Sequence, residues 1–226
     1  MSQVSRPARL NGSRTLKKIS LTLASVILLA CLVDLQPAQA AITCKKVTSV
    51  PHEALKTNPP RTVAKVLPTK ITFYTNCGNI VATLDPNAPL TVTEMSALAK
   101  AKYFDKSLCH RLINQGFYML QCGDPTAKGN GGPGFSYLDE NLPTNAKVTY
   151  PAGTLAMANS GPNTNGSQFF LVFGDSGVLD PNYTVWGHIT SGLEILRFIS
   201  KAGVTIEASG NSAPNQKVEI IRAVVS

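Results

Sequence analysis

Acidic residues are scarce in this chain. Only 13 Asp and Glu stand against 21 Lys and Arg, and charged side chains make up 15% of the 226 residues. The formal net charge of +8 is unevenly spread: residues 1–40 hold five basic side chains and one acid, Asp34. The remainder carries 16 basic and 12 acidic residues, a mild +4. That excludes the dense basic face of a nucleic-acid binder, and no nucleic-acid partner is expected. Histidine is rarer still, with His52, His110 and His188 the only three. None belongs to a Ser-His-Asp or Cys-His arrangement, and His52 and His188 read as non-catalytic. No compact ligand pair such as C-x-x-C exists, which argues against a metal site on Cys109, His110 and Cys122. Residues 129–132, Gly-Asn-Gly-Gly, lack the following Lys-Ser/Thr of a phosphate loop. No cofactor or metal is therefore expected. Internal repeats are missing too. The longest apolar run, residues 19–33, has 15 residues and is short for a membrane span.

What is present begins with a targeting pattern. Arg6, Arg9, Arg14, Lys17 and Lys18 form a basic stretch before the apolar run, and Ala38-Gln39-Ala40 offers a small-x-small cleavage site. The reading is a signal peptide over residues 1–40, cut after Ala40. Two alternatives stay open. Leu28-Leu29-Ala30-Cys31 resembles a lipoprotein box, and an uncleaved anchor is the other. Either way the protein is expected to be exported, secreted or associated with the cell envelope, and to meet a membrane only through this segment. Residues 41–67 are rich in Pro, Thr and Lys without sustained periodicity, and read as a linker or loosely attached arm.

From Lys70 the pattern changes. Ile71 and Phe73, then Ile80, Ala82 and Leu84, alternate with polar residues around a turn-like 76–79, which predicts a β-hairpin. Pro89 precedes Thr91-x-x-Glu94, a capping-box pattern, and Val92, Met95, Leu98 and Ala99 form an apolar helix face. Short strands with Gly-rich joints occupy most of 108–187. A second capping-box pattern, Ser191-x-x-Glu194, opens a helix that Gly203 ends, and residues 217–225 form a last strand. Many short strands and two helices imply a mainly β protein, a closed antiparallel barrel with a helix over each end.

The stretch 150–173, YPAGTLAMANSGPNTNGSQFFLVF, is the most informative. An apolar piece at 154–158 leads into a Gly/Pro/Asn-rich loop at 160–166 and then a second apolar run at 168–173. Gly161 and Gly166 tolerate positive φ, Pro162 restricts its own, and Asn163 and Asn165 can bond nearby backbone, so the loop is a shaped surface. Gln168 and Phe170, two apart, would set an amide and a ring on one strand face.

This stretch resembles the signature of the cyclophilin-type peptidyl-prolyl isomerases. Residues 108–124, LCHRLINQGFYMLQCGD, resemble the family's His-Arg strand followed by a Gln-x-Gly-Asp strand. Asp139-Glu140-Asn141 matches its acidic tripeptide, and Val185-Trp186-Gly187 its aromatic-Gly strand closing. The four motifs lie in the family's order within residues 68–226. The resemblance implies an exported bacterial isomerase with an eight-stranded barrel capped by a helix at each end. It implies no cofactor, and partners that are proline-containing peptides and unfolded exported proteins.

The resemblance also implies the site. Arg111 matches the catalytic arginine, and its always-charged planar fork suits a donor aimed at an imide nitrogen. Gln121 matches the glutamine that bonds substrate backbone and orients the arginine. Phe170 matches the ring at the floor of the proline pocket, with Met119 and Leu179 as apolar walls. Asn159 matches the position whose backbone holds the residue before proline; Ala158 and Gln168 line the same groove. The glycines at 129–132 read as a loop beside it.

Three departures stand out. The interval from Arg111 to Gln121 is two residues longer than the common form, so the first pocket phenylalanine falls on Phe117 or, counted backwards, on Tyr118; Phe117 is preferred. Val178 stands where many eukaryotic members carry tryptophan, so cyclosporin-type peptides are expected to bind weakly. Tyr183 stands where they carry histidine, and its hydroxyl could bond a substrate carbonyl. The altered interval also leaves open a non-catalytic module or holdase for Pro-containing segments.

Four cysteines lie beyond residue 40: Cys44, Cys77, Cys109 and Cys122. An even number in an exported chain points to disulfides, with three connectivities. If Arg111 and Gln121 share a face, period two puts Cys109 with Arg111 and Cys122 opposite, which disfavours Cys109–Cys122. The expected pair is Cys77–Cys109, with buried free thiols as the alternative.

Overall fold

Alternation makes the first two strands. In β1 (Lys70–Thr75) Ile71 and Phe73 point inward, and in β2 (Gly78–Leu84) Ile80, Ala82 and Leu84 do the same. The two pair antiparallel, Phe73 opposite Ile80, as the pattern predicts. The computed structural model describes residues 41–60, 62–144, 147–175, 179–208, 210 and 212–226. The proposed targeting segment therefore lies outside the described residues. Among them no helix is long and apolar enough to cross a membrane.

The remaining strands are β3 (Ser107–Cys109), β4 (Arg111–Gln115), β5 (Phe117–Cys122), β6 (Thr154–Met157), β7 (Phe169–Val172), β8 (Val185–Ser191), β9 (Val204–Ile206), β10 (Ser212–Pro214) and β11 (Val218–Val225). Nine form one sheet in the order β3-β11-β1-β2-β8-β6-β7-β5-β4, and β9 pairs with β10 separately. The sheet's two edge strands, β3 and β4, are consecutive in sequence and separated only by His110. The sheet thus nearly closes on itself as an antiparallel barrel. Nine strands replace the expected eight because one bent segment is broken at His110 into β3 and β4. Its interior is packed with Phe73, Phe104, Phe169, Trp186, Leu112 and Leu120.

Two helices cover the barrel. α1 (Pro89–Lys100) buries Val92, Met95, Leu98 and Ala99, the predicted face, and lies against β11. α2 (Leu193–Lys201) buries Ile195, Leu196 and Ile199 and touches β2 and β4. Neither capping box forms. The N-cap of α1 is Ala88, without a side-chain bond, and Thr91 and Glu94 are buried inside the helix. Its first amides are met from elsewhere: Leu90 and Thr91 N–H donate to the Glu140 carboxylate. An acid at a helix N-terminus is doubly favoured, by the orphan N–H groups and by the helix dipole. The N-cap of α2 is Gly192 at φ 94°, not Ser191.

Residues 41–60 and 62–67 form no helix or strand, yet they are not a loose linker. Cys44 is bonded to Cys77 in the β1–β2 turn. Asn76 Nδ2 donates to the Lys45 carbonyl (2.9 Å), and Lys45 N–H returns a bond to Asn76 O (2.9 Å). Thr48 and Ser49 donate to the Glu219 carboxylate on β11. Farther on, His52 N–H donates to Pro125 O (3.0 Å) and Ala64 N–H to Thr93 Oγ1 (3.0 Å). Burial alone would raise the Glu219 carboxyl; the donors from Ser49 and Thr48 outweigh it and hold it below its ordinary value. The segment is a pinned strap.

The second disulfide is Cys109–Cys122, the pair that strand periodicity disfavours, and Cys77–Cys109 does not exist. The premise holds, since Arg111 directly opposes Gln121. The inference fails at His110. The strand breaks there, so alternation does not carry across from Arg111 to Cys109, and the sulfur swings to the Cys122 side.

Candidate functional site

Four adjacent strands bring the site together. Arg111 on β4 is the register partner of Gln121 on β5, Gln121 of Phe170 on β7, and Phe170 of Ala156 on β6. Paired residues share a face, so one row across the sheet carries guanidinium, amide, aromatic ring and methyl in order. The longer Arg111–Gln121 interval does not disturb this pairing. It extends the far end of the hairpin, where Gln115 opposes Phe117 across Gly116 at φ 72°, a conformation glycine adopts freely.

The polar half of the row is a chain of hydrogen bonds. Arg111 Nη1 donates to Gln121 Oε1 (3.3 Å), and Gln121 Nε2 donates to Gln168 Oε1 (2.8 Å). Gln168 Nε2 donates in turn to the carbonyls of Gly129 (3.0 Å) and Gly131 (2.9 Å). Arg111 is half-buried and Gln121 is 9% exposed, so the amide is dry enough to fix the arginine's direction. Behind it sits His110, buried with no hydrogen-bond partner among the described residues on either ring nitrogen. Burial pushes its pKa down; Arg111 adds to this while Asp124 and Glu207 oppose it. It therefore stays neutral near pH 7 and adds no charge beside the arginine.

Asp124 organises the glycine loop. Its carboxylate accepts from the N–H groups of Thr126 (2.8 Å), Gly129 (2.7 Å) and Gly131 (3.0 Å) and from the Thr126 hydroxyl (2.8 Å). Burial would raise its pKa, but these donors prevail and keep it below the usual value. Gly123, just before it, has φ 91°, and a Cβ there would stand 2.2 Å from Ser167 O. Only glycine lets this strand end approach the Ser167–Gln168 backbone so closely.

The apolar half is a separate cluster of Phe117, Met119, Tyr150, Ala156, Phe170 and Val172, with Ala158, Leu179 and Tyr183 packed against it. Phe170 meets Tyr183 (5.6 Å), Phe117 (5.9 Å) and Tyr150 (5.9 Å) edge-on. Phe117 thus packs in the same cluster as Phe170. Tyr118 is a correction: it lies on the other face of β5 and packs edge-on against Phe173, on the main core. Strand alternation forbids both from facing the same pocket.

A groove of about 430 Å³ continues from Gln121 and Gln168 past residues 129–136 to Ala158, Asn159 and Thr164. Ala158 N–H donates to Gln168 O (2.9 Å), and Asn159 Nδ2 to Asn182 O (2.8 Å). Gln121, Ala158, Asn159 and Gln168 thus line this groove, Arg111 is bonded to Gln121 at its end, and Phe117, Met119, Phe170, Leu179 and Tyr183 belong to the adjoining apolar cluster. Val178 lies outside the described residues. Among those residues, no group of three or more His, Cys, Asp or Glu could hold a metal ion.

Two contributors escaped the sequence. Asp124 was in view only as part of a motif. Tyr150, wholly buried beneath Phe170, gave no signal because Pro151 and Gly153 interrupt any alternation that would tie it to Ala156.

Comparison with known proteins agrees with this geometry. The family profile described as "Cyclophilin type peptidyl-prolyl cis-trans isomerase/CLD" matches residues 70–225. A probable peptidyl-prolyl cis-trans isomerase B of Mycobacterium leprae is 41% identical over 190 residues, covering 76% of this chain and 63% of that protein. Its counterpart in Mycobacterium tuberculosis is 47% identical over 147 residues, covering 59% and 47%. The chain thus spans between about half and two-thirds of those mycobacterial proteins. The peptidyl-prolyl cis-trans isomerase-like 1 of Emericella nidulans is 36% identical over 160 residues, covering 70% of this chain and 94% of that one. Among solved structures, a cyclophilin type isomerase of Cryptosporidium parvum superposes with a TM-score of 0.59 at 28% identity, over 70% of this chain and 97% of that one. The same protein has also been solved in the presence of the dipeptide Ala-Pro, with equal TM-score and identity. A profile covering more than half of the chain, on the strands that build the groove, places this chain in the cyclophilin-type peptidyl-prolyl isomerase family.

Proposed function

We propose that this protein accelerates cis–trans rotation of X–Pro bonds in extended or unfolded polypeptides, and that it does so outside the cytoplasm. The row Arg111–Gln121–Phe170 carries the reading. Rotation about an X–Pro amide is slow because resonance must be broken, at a cost of about 18–20 kcal/mol. In the twisted state the nitrogen lone pair is localised and can accept a hydrogen bond. A catalyst needs a slot for the ring, a grip on the flanking chain and a donor directed at that nitrogen.

The protein offers all three. Phe170, Phe117, Met119, Leu179 and Tyr183 pack into one apolar cluster, the surface that would take the ring. Gln121, Gln168 and the backbone around Ala158 and Asn159 border the groove for residues before proline. Arg111, steered by Gln121, supplies the donor. A donor that bonds better in the twisted state than in either planar state lowers the barrier itself rather than only binding substrate. About 7 kcal/mol of such preference corresponds to roughly 10⁵-fold in rate. No bond to carbon forms or breaks, so the chemistry asks for neither metal nor cofactor.

Export rests on the N-terminal pattern and is supported by the two disulfides, which persist in oxidising compartments. Unfolded exported proteins are the corresponding clients, and folding assistance is the corresponding role. Cyclosporin-type peptides should bind, but weakly, because Val178 offers neither the area nor the N–H of an indole. Calorimetric titration of Val178→Trp should show at least about 10-fold tighter binding; equal affinities would remove Val178 from the ligand surface.

The deciding experiment is a protease-free isomerisation assay on a short X–Pro peptide with the native protein and Arg111→Ala. The variant should keep its fold and lose most activity. A fall in kcat/KM of less than about 10-fold, or about 1.4 kcal/mol, would show that the donor is misassigned.

A further inference from the structure

Beneath the pocket, Tyr150 makes an arrangement that ring packing does not require. Its side chain is wholly buried in the apolar cluster, edge-on to Phe170 (5.9 Å) and to Tyr183 (6.1 Å). A phenylalanine would fill that space equally well. A hydroxyl placed there costs desolvation unless it is bonded, and burial pushes this phenol up to about 12, although the Tyr183 backbone partly offsets the rise. The hydroxyl is therefore protonated throughout the working pH range and available as both donor and acceptor.

All three of its partners belong to one short turn. Tyr183 N–H donates to Tyr150 Oη (2.9 Å). The hydroxyl lies 3.2 Å from the Tyr183 carbonyl and 3.3 Å from that of Asp180, and its single hydrogen serves these two. Within the turn Asn182 N–H donates to Asp180 O (2.8 Å), and from the groove side Asn159 Nδ2 donates to Asn182 O (2.8 Å). The turn is thus held at its first and last residues from below and at its middle from Asn159. It carries Tyr183 and follows Leu179, the two pocket walls that do not lie on a strand. β6 and β7 place the floor; β6 also reaches the far side of the turn, where Met157 N–H donates to Thr184 O (2.9 Å), but Leu179 and Tyr183 themselves lie on no strand.

We propose that Tyr150 is a positioning residue for the proline pocket. Its hydroxyl fixes the 180–183 turn so that Tyr183 and Leu179 close the slot over a substrate ring, and it thereby sets affinity for the proline-containing segment. Arg111 and Gln121 sit on β4 and β5 and are held through each other and Gln168, so the barrier-lowering step is largely independent of the turn. This inference rests on the proposed isomerase reading for the identity of the pocket's occupant.

The test is Tyr150→Phe, which keeps the ring and removes only the hydroxyl. Two quantities are read with an Ala-Pro tetrapeptide by NMR in native protein and variant: Kd from titration, and the cis–trans exchange rate at saturating peptide. Loss of one buried hydrogen-bonding centre should raise Kd about 5-fold or more. The exchange rate at saturation should stay within about 2-fold, because the arginine is untouched. Amide hydrogen exchange at Tyr183 should quicken, since its acceptor is gone. An unchanged Kd overturns the inference even if the melting temperature falls, because that is what a purely structural hydroxyl would do. A lowered saturated rate with unchanged Kd, or an unaltered Tyr183 amide, overturns it as well. The two readings fail differently: native protein that binds the peptide without accelerating exchange removes the isomerase reading, while Kd still judges Tyr150. Native protein that does not bind the peptide removes both.

Discussion

The two disulfides should differ in opposite directions for stability and activity. Cys44–Cys77 joins residues 33 apart, whereas Cys109–Cys122 joins residues 13 apart. In the chain-entropy account, closing these loops removes freedom from the unfolded chain worth about 3.7 and about 2.9 kcal/mol respectively. By loop length alone, the double substitution Cys44→Ser with Cys77→Ser is the more destabilising. The strap's bonds to Asn76 and Glu219 remain in the variant, so its native state keeps its shape and the entropic figure applies. Activity should follow position. Cys109 stands two residues before Arg111 and Cys122 directly follows Gln121, so the shorter bond clamps both sides of the donor pair across the break at His110. The Cys44–Cys77 bond sits at the β1–β2 turn, away from that row. Urea unfolding and an isomerisation assay on both double variants check this. The expected result is a larger stability loss with near-native kcat/KM for the 44/77 pair, and a smaller loss with kcat/KM down several-fold for the 109/122 pair. Equal activity in the two variants would show that the shorter bond does not align Arg111. A 109/122 variant less stable than the 44/77 variant would show that native-state contacts rather than loop length decide the energetics.

Phe170→Ala should cost about 3–5 kcal/mol of stability as well as peptide binding, since the ring is 3% exposed and meets three others; normal melting with lost activity would contradict its burial. Glu94 is 3% exposed on α1, and burial pushes its pKa up to about 7 from 4.5. Between those values the folded state binds a proton that the unfolded state does not, so this contribution to stability falls as pH rises, by at most about 1.4 kcal/mol for each pH step of one. His110 works oppositely: its depressed pKa makes stability fall as pH drops below 6.5. The Glu94 contribution is therefore read as native minus Glu94→Gln in urea unfolding at pH 5, 6, 7 and 8. That difference should decline with rising pH, and a flat difference would refute the raised pKa.

Much of the site was legible because its signals are short. A pattern of period two puts Ile71 and Phe73 inward, and a pattern near 3.6 turns Val92, Met95 and Leu98 to the barrel. Neither needs a distant partner to be read. Arg111, Gln121, Gln168 and Phe170 were reachable by resemblance because their motifs are contiguous. Two features were not legible for one reason, that their partners are far along the chain. The cap of α1 comes from Glu140, about fifty residues away, so the local Thr91-x-x-Glu94 pattern misled. The strap over residues 41–60 and 62–67 has no periodicity because a disulfide and isolated hydrogen bonds hold it, among them those to Glu219, 171 residues from Thr48.

The sequence alone determined which residue types the site could use, the order in which strands deliver them, and the face each takes within an unbroken strand. Those properties follow from backbone geometry repeated over a few residues. Only the tertiary structure decided where a strand breaks, and with it the Cys109–Cys122 pairing. Only it decided that Phe117 rather than Tyr118 packs with Phe170, and that one hydroxyl on Tyr150 bonds a turn thirty residues away. These depend on register between strands and on which buried polar groups find partners. Such pairings are settled when the whole barrel closes, because each buried donor or acceptor left unpaired costs about 1–3 kcal/mol, a cost the interior bears at His110.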